Sequence, residues 1–273
     1  HAGDPLRLAV SLRDHESLRL AAAASGDTTT LATLPLLPSG RLDQQAVAAW
    51  LEQAYGDAAP ARLLATTLVC GQTGSVEDLP GLVRLLAAAA ADCLLHTDAT
   101  QAVGRLPVDF YDLGVTSLCF APHKFGGPRG VGCLVLRPGV NISPLLHGAQ
   151  QFQQRGGTEP VALLAGCQLA CAIAIRRQQT EAARLEGLRQ RFERRLVPIA
   201  QRAGIEPRII AADSQRSPHI STVALPGIDR QAFVMAADLE GLAIATGTAC
   251  ASGSSEPAPA LAAKGLAAPV IES

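Results

Sequence analysis

Leu94-Leu95-His96-Thr97-Asp98-Ala99-Thr100-Gln101 is a run in which apolar residues give way abruptly to an imidazole, a hydroxyl, a carboxylate and an amide. Ala91 to Leu95, leading into it, is mostly apolar and reads as a buried strand. Further on, Val115 to Phe120 is again largely apolar; it runs into Ala121-Pro122-His123-Lys124 and then Gly126-Gly127-Pro128. Two buried strands therefore deliver polar groups at their C-terminal ends, the place where open α/β sheets hold ligands. Lys124 stands out further because the chain has only one other lysine, Lys264, while the remaining 21 of its 23 basic residues are arginine. A guanidinium keeps its proton near neutrality, whereas a partly buried amine can lose it and attack a carbonyl.

The segments before and after repeat one alternation. Leu6 to Leu12 reads as a strand, and Asp14-His15-Glu16 opens a helix to about Ala24, with Asp14 as its expected cap. Thr28 to Leu37 is a strand; Asp43 then caps an amphipathic helix to about Tyr55. Arg62 to Val69 is a buried strand running into Cys70-Gly71-Gln72-Thr73-Gly74, and Leu79 to Ala91 is a helix. Strand and helix alternating in this way predict an α/β fold, a mainly parallel sheet sandwiched by helices. Gly130 to Leu136 is a further strand, and Pro138 to Gly157 a loop. A long helical pattern follows from Pro160 to Ala203, broken near Pro198. Beyond it, Ser221–Leu225 and Ala243–Ala245 read as strands, Asp229–Leu239 and Ala258–Gly265 as helices. Thr246 to Ser255 is a loop of small residues carrying Cys250. The expected division is a large domain over 1–175 and a smaller C-terminal α/β domain over 176–273.

Bulk properties narrow the function. The 273 residues, 48% hydrophobic and 17% charged, suffice for a sizeable core. A net charge of −1 gives no electrostatic reason to expect nucleic acid or an anionic membrane. No run reaches the roughly 18 uninterrupted apolar residues of a membrane span. Seven cysteines lack paired metal-binding spacing, apart from Cys167 and Cys171, which read as small core residues; no metal is expected. That usage fits a reducing compartment, hence cytoplasm. The chain starts at His1 and stops at Ser273 without start or end signals, so both ends are expected to be truncated.

Four motifs occur in order: His96 to Asp109 (His-x-Asp-Ala-Thr-Gln-x-Val-Gly-x-Leu-Pro-Val-Asp), His123-Lys124 with its glycine-rich sequel, Arg155-Gly156-Gly157-Thr158-Glu159-Pro160, and Gly247-Thr248-Ala249-Cys250 running on to Pro257. Together they resemble a cysteine desulfurase of the class V aminotransferase family, whose fold is that of the type I pyridoxal 5'-phosphate (PLP) enzymes. The resemblance implies a role for each matched residue. Asp98 would hold the protonated pyridine nitrogen, Gln101 the phenolic oxygen, and Lys124 the cofactor's aldehyde. His15 would stack on the ring. His123 would contact the phosphate, and Thr158 the phosphate of a neighbouring subunit, which makes a homodimer the expected assembly. Cys250, in its flexible loop, would attack the sulfur of L-cysteine, leaving an enzyme persulfide and releasing L-alanine. A sulfur-acceptor protein would then take the sulfur, in iron-sulfur cluster assembly or a related transfer.

Three features depart from the family pattern. The loop that usually carries two asparagines before Glu-x-Gly is Cys70-Gly71-Gln72-Thr73-Gly74 here, leaving Gln72 as the stand-in for substrate binding. The phosphate-binding serine ahead of His-Lys is Ala121. The phosphate-cradling Gly-Thr loop and the substrate-clamping arginine would lie outside the 273 residues. These departures keep two alternatives open: a catalytically impaired relative acting as a binding or dimerisation partner, and a selenocysteine lyase.

Overall fold

The apolar runs read above between Leu6 and Leu136 become the strands of one sheet. A computed structural model of the chain describes residues 6–26, 29–53, 61–89, 92–246, 258–266 and 268–271. Strands β1 (Leu6–Ser11), β2 (Thr29–Leu34), β3 (Ala61–Thr67), β4 (Cys93–Asp98) and β5 (Ser117–Phe120) are parallel, and β6 (Cys133–Leu136) pairs antiparallel with β5. Their order is β2-β1-β3-β4-β5-β6. Thr67 stands opposite Asp98, and Asp98 opposite Cys119, so β3, β4 and β5 finish level at one edge. β4 continues through His96, Thr97 and Asp98, further than the apolar run ending at Leu95 suggested. The cause is backbone pairing with Ala65, Thr66 and Thr67, which carries polar side chains in strand geometry.

Side-chain alternation assigns the two faces. On one face Leu64, Leu95 and Leu118 pack with Val47, Trp50 and Leu51 of α2 (Gln44–Glu52) and with Leu79, Leu82 and Leu86 of α3 (Leu79–Ala88). On the other, Leu8, Val10 and Ala65 pack with Ala22 of α1 (Glu16–Ala23). Full burial of each such leucine stabilises the fold by about 1.5–3 kcal/mol. The Asp43 carboxylate accepts from the Gln45 and Ala46 amides and starts α2 as expected, and Asp78 caps α3 through Gly81. Asp14 does not cap α1: His15 does, its ring nitrogen accepting from the Ser17 amide, because the Asp14 carboxylate is used inside the sheet. A short helix α4 (Phe110–Leu113), capped by Asp109 and closed by left-handed Gly114, has too few residues to show a period in sequence.

Helix α5 (Val161–Arg202) is continuous, where a break near Pro198 was expected. Proline removes one helical hydrogen bond, but both sides of it are anchored. Glu193, in the preceding turn, pairs bidentately with Arg216 at 2.7 and 3.0 Å and accepts from the Ser221 hydroxyl at 2.8 Å, while Ala200 beyond it is buried. Length and mean hydropathy alone would let α5 cross a membrane. Its first half instead lies against the sheet domain, with Gly166 against Pro128 and Ala174 beside Gly104. A second, smaller apolar cluster (Ile210, Ala211, Ala224, Ala258, Leu261 and Val270) gathers around β7 (Arg208–Ile209), β8 (Val223–Ala224), α7 (Pro259–Ala262) and α8 (Ala268–Ile271). α6 (Arg230–Leu239) starts at Asp229 as read from sequence, whereas Ala243–Ala245 is not a strand and stays open to solvent. The boundary expected at 175/176 falls inside α5.

Candidate active site

The level C-terminal edge of β1, β3, β4 and β5 carries Asp14, Asp98 and Lys124, at or just beyond the ends of β1, β4 and β5. Asp14, next to the end of β1, is almost fully buried, and its carboxylate accepts four donors. These are the Ser11 amide (2.7 Å), the Ser11 hydroxyl (2.9 Å), the Thr67 amide (2.7 Å) and the Thr66 hydroxyl (3.3 Å). That knot ties β1 to β3, and His15, the next residue, is exposed. Beside it Arg13 and Glu77, both buried, form an ion pair, and Glu77 also accepts from the Leu42 amide at 3.0 Å.

Asp98 ends β4. One carboxylate oxygen accepts from the Thr100 amide at 2.8 Å, which turns the chain and brings Gln101 round. The Cys119 thiol stands directly across on β5. Burial, with the Asp98 charge, pushes this thiol up to about 12, so it stays protonated. His96, two residues back on the same face, bonds the Ser117 hydroxyl at 2.8 Å, and burial lowers its pKa.

Gln101 has a partner that sequence reasoning did not single out. Its side-chain oxygen lies 3.1 Å from Nε2 of His219, and Nδ1 of His219 lies 2.7 Å from the Ser217 hydroxyl. Burial, and then the Arg105 and Arg189 charges, push His219 down to about 4. A neutral imidazole has one N–H, so the ring accepts from Ser217 at Nδ1 and donates to Gln101 at Nε2. The Gln101 amide NH₂ is thereby left to face outward beside Gly71, where an added Cβ would sit 3.5 Å from it, in ordinary contact. No spacing pointed to His219; the only signal was its being one of six histidines.

Lys124 ends a 3-10 turn, Pro122–Lys124, immediately after β5. Its side chain is exposed, and its amine has no partner among the described residues. Gly126 takes φ +91°, and a Cβ on Gly127 would fall 2.6 Å from Pro122 and 3.1 Å from Ala170 of α5, so glycine lets the helix close under this turn. His123 and Thr158 are exposed, Thr158 lying in the loop before α5. Ala121 caps the 3-10 turn without any side-chain bond. Gln72 is engaged elsewhere: its side-chain oxygen accepts from the Ala260 amide at 2.9 Å, and its carbonyl from the Thr222 hydroxyl at 2.6 Å. Cys250 lies outside the described residues.

This donor set fits PLP. A carboxylate, an amide NH₂, an exposed imidazole and an amine with no partner among the described residues match a pyridinium nitrogen, a phenolic oxygen, a ring face and an aldehyde.

Comparison with known proteins agrees. The chain is 40% identical over 183 residues to a cysteine desulfurase of Rhodobacter capsulatus, covering 66% of this chain and 46% of that protein. It is 36% identical over 193 residues to the cysteine desulfurase IscS of Dictyoglomus turgidum, covering 70% and 48%. The chain thus spans about half the length of the curated relatives it matches. Among solved structures, a NifS-like protein from Rickettsia africae superposes with a TM-score of 0.84 at 20% identity, over 98% of this chain and 68% of that one, a likeness of fold. The model of the aminotransferase class-V family, whose members are PLP-dependent, matches residues 7–268, and the chain belongs to that family.

Proposed function

We propose that the protein is a PLP-dependent cysteine desulfurase acting on L-cysteine, as a homodimer, in the cytoplasm. The observation that supports this reading is the position of Asp98 at the end of β4 and of Lys124 just after the adjacent β5, with Gln101 bonded to His219. PLP, when bound, supplies an electron sink for bond changes at the amino acid's α- and β-carbons. The residues of the chain do the rest. Asp98, braced by the Thr100 amide, keeps a proton on the pyridine nitrogen. Gln101 donates its amide N–H to the phenolic oxygen. Lys124 would hold the aldehyde, and its amine would take and return the proton at the substrate Cα. His15 covers the ring, and His123 contacts the phosphate where Ala121 offers no hydroxyl. Cys250 attacks the substrate sulfur, keeps it as a persulfide, and passes it to an acceptor protein, while the remaining carbon skeleton leaves as alanine.

The homodimer reading rests on the first half of α5, where Val161, Leu169 and Ile175 are 73%, 62% and 76% exposed, and on Thr158, which would reach the partner's phosphate. The six described cysteines are free thiols, in keeping with a reducing compartment. The test is spectroscopic and chemical. Purified protein with PLP should be yellow and release alanine and sulfide from cysteine in the presence of a thiol reductant. Lys124→Ala should lose both colour and turnover, and Cys250→Ser only turnover. A wild-type protein that stays colourless at saturating PLP would overturn the reading.

A further inference from the structure

Three thiols outside the site lie in a row. The sulfurs of Cys133 on β6 and Cys167 in the second turn of α5 approach to 3.7 Å, and Cys171, one helical turn further, hydrogen-bonds with Cys167. We propose that Cys133 and Cys167 are a dithiol that hydroperoxides close into a disulfide, bracing the strand and the helix that enclose the Lys124 turn. A disulfide needs the sulfurs at about 2.05 Å, a gap that side-chain rotation and a small shift can close.

The bridge would join the two walls of one loop. Cys133 pairs with Phe120, the last residue of β5 before the lysine turn. α5 meets the far side of that turn, where Gly127 is wedged between Pro122 and Ala170 and Gly166 sits on Pro128. A covalent bond between β6 and α5 would therefore restrict the turn from both sides without touching the site itself.

Exposure orders the chemistry. Cys133 is partly open, whereas Cys167 is only 5% exposed, so the peroxide meets Cys133 first. The Cys133 sulfur takes one peroxide oxygen, becoming a sulfenic acid and releasing the alcohol. The Cys167 sulfur then displaces water from it: two thiols and one hydroperoxide give one disulfide, one alcohol and one water. Both steps use thiolate. Burial and the neighbouring thiols push Cys133 up to about 12. Closure is therefore slow at neutral pH and accelerates about tenfold per pH unit while the medium remains below that value.

Exposure of the full chain to tert-butyl hydroperoxide, alkylation of the remaining thiols and cleavage after arginine would locate the bond by mass. Cys133 falls on the peptide 130–155, because Pro138 protects the Arg137 bond, and Cys167 and Cys171 share the peptide 156–176. The expected product is that pair joined and two hydrogens lighter, in wild type and in Cys171→Ser. It should be absent in Cys133→Ser and Cys167→Ser, and its rate should rise about tenfold per unit between pH 7 and 9. Finding Cys133 and Cys167 alkylated or present only as sulfinic acids after oxidation would overturn the proposal. So would a joined pair that forms equally well in Cys167→Ser. None of these readouts depends on PLP or on turnover.

Discussion

A single hydrogen bond, from His219 to Gln101, decides which end of an amide faces the candidate site. Without it, Gln101 is free to turn its oxygen outward, toward another oxygen, where repulsion replaces attraction. His219→Ala should lower kcat/KM for cysteine about tenfold or more, and His219→Asn, which keeps an N–H donor, should recover part of the loss. The same residue sets a pH dependence of stability. Its folded pKa, about 4, lies below the ordinary 6.5, so the unfolded chain binds the extra proton first. The stabilising contribution is whole above about pH 6.5 and is lost as pH falls toward 4. Urea midpoints measured across that window should drop more for wild type than for His219→Asn; parallel curves would count against a buried neutral ring. Gly71 offers a complementary change. Its φ is not in the left-handed region, and a side chain there meets Gln101 only at ordinary contact distance. Gly71→Asn, which adds an amide in the loop where the family carries asparagines, should lower KM for cysteine about tenfold, the scale of one hydrogen bond to a carboxylate. An unchanged KM would mean that the substrate acid lies elsewhere.

Between elements, the Asp14 knot shows both the reach of the sequence and its limit. Its four partners are all donors, which only an acceptor satisfies. Asp14→Asn would point an NH₂ at one of two backbone N–H groups and should cost about 1–3 kcal/mol, read from urea unfolding. An equally stable variant would mean that the knot is dispensable. A short polar residue before an apolar helix reads as a cap, and the sequence alone could not reveal that Thr66 and Thr67, far along the chain, claim it. What was legible rested on local pattern: the apolar runs of β1 to β6, the cap at Asp43, the helix beginning near Asp229, and the strand ends leading to Asp98 and Lys124. What was not legible depended on long-range contacts. α5 runs through Pro198 because Arg216 and Ser221 hold Glu193, β7 exists only through its pairing with β8, and His219 matters only because folding sets it against Gln101.

Across the whole molecule, hydrogen bonds tie the sheet core to the smaller C-terminal cluster, and Gln72 makes two of them. Its carbonyl accepts from Thr222 and its side-chain oxygen from Ala260, while the Ser214 hydroxyl bonds the Ser39 carbonyl nearby. The sequence assigned Gln72 to the substrate because it stands in a loop where the family carries polar side chains. The geometry instead commits its acceptor to the start of α7, leaving the substrate only its NH₂. The two roles separate in experiment. Gln72→Ala removes the acceptor of a part-buried backbone N–H and should cost about 1 kcal/mol, lowering Tm by about 2–4 °C for a chain of this size. Gln72→Glu keeps an oxygen for Ala260 and should retain most of that stability, yet would place a negative charge where a substrate carboxylate would bind. If Gln72 only ties the two parts, Glu leaves KM near wild type. If it also holds the substrate, Glu raises KM tenfold or more at an unchanged Tm. A Tm in Gln72→Ala identical to wild type would show that the bond to Ala260 does not hold the C-terminal part to the sheet core.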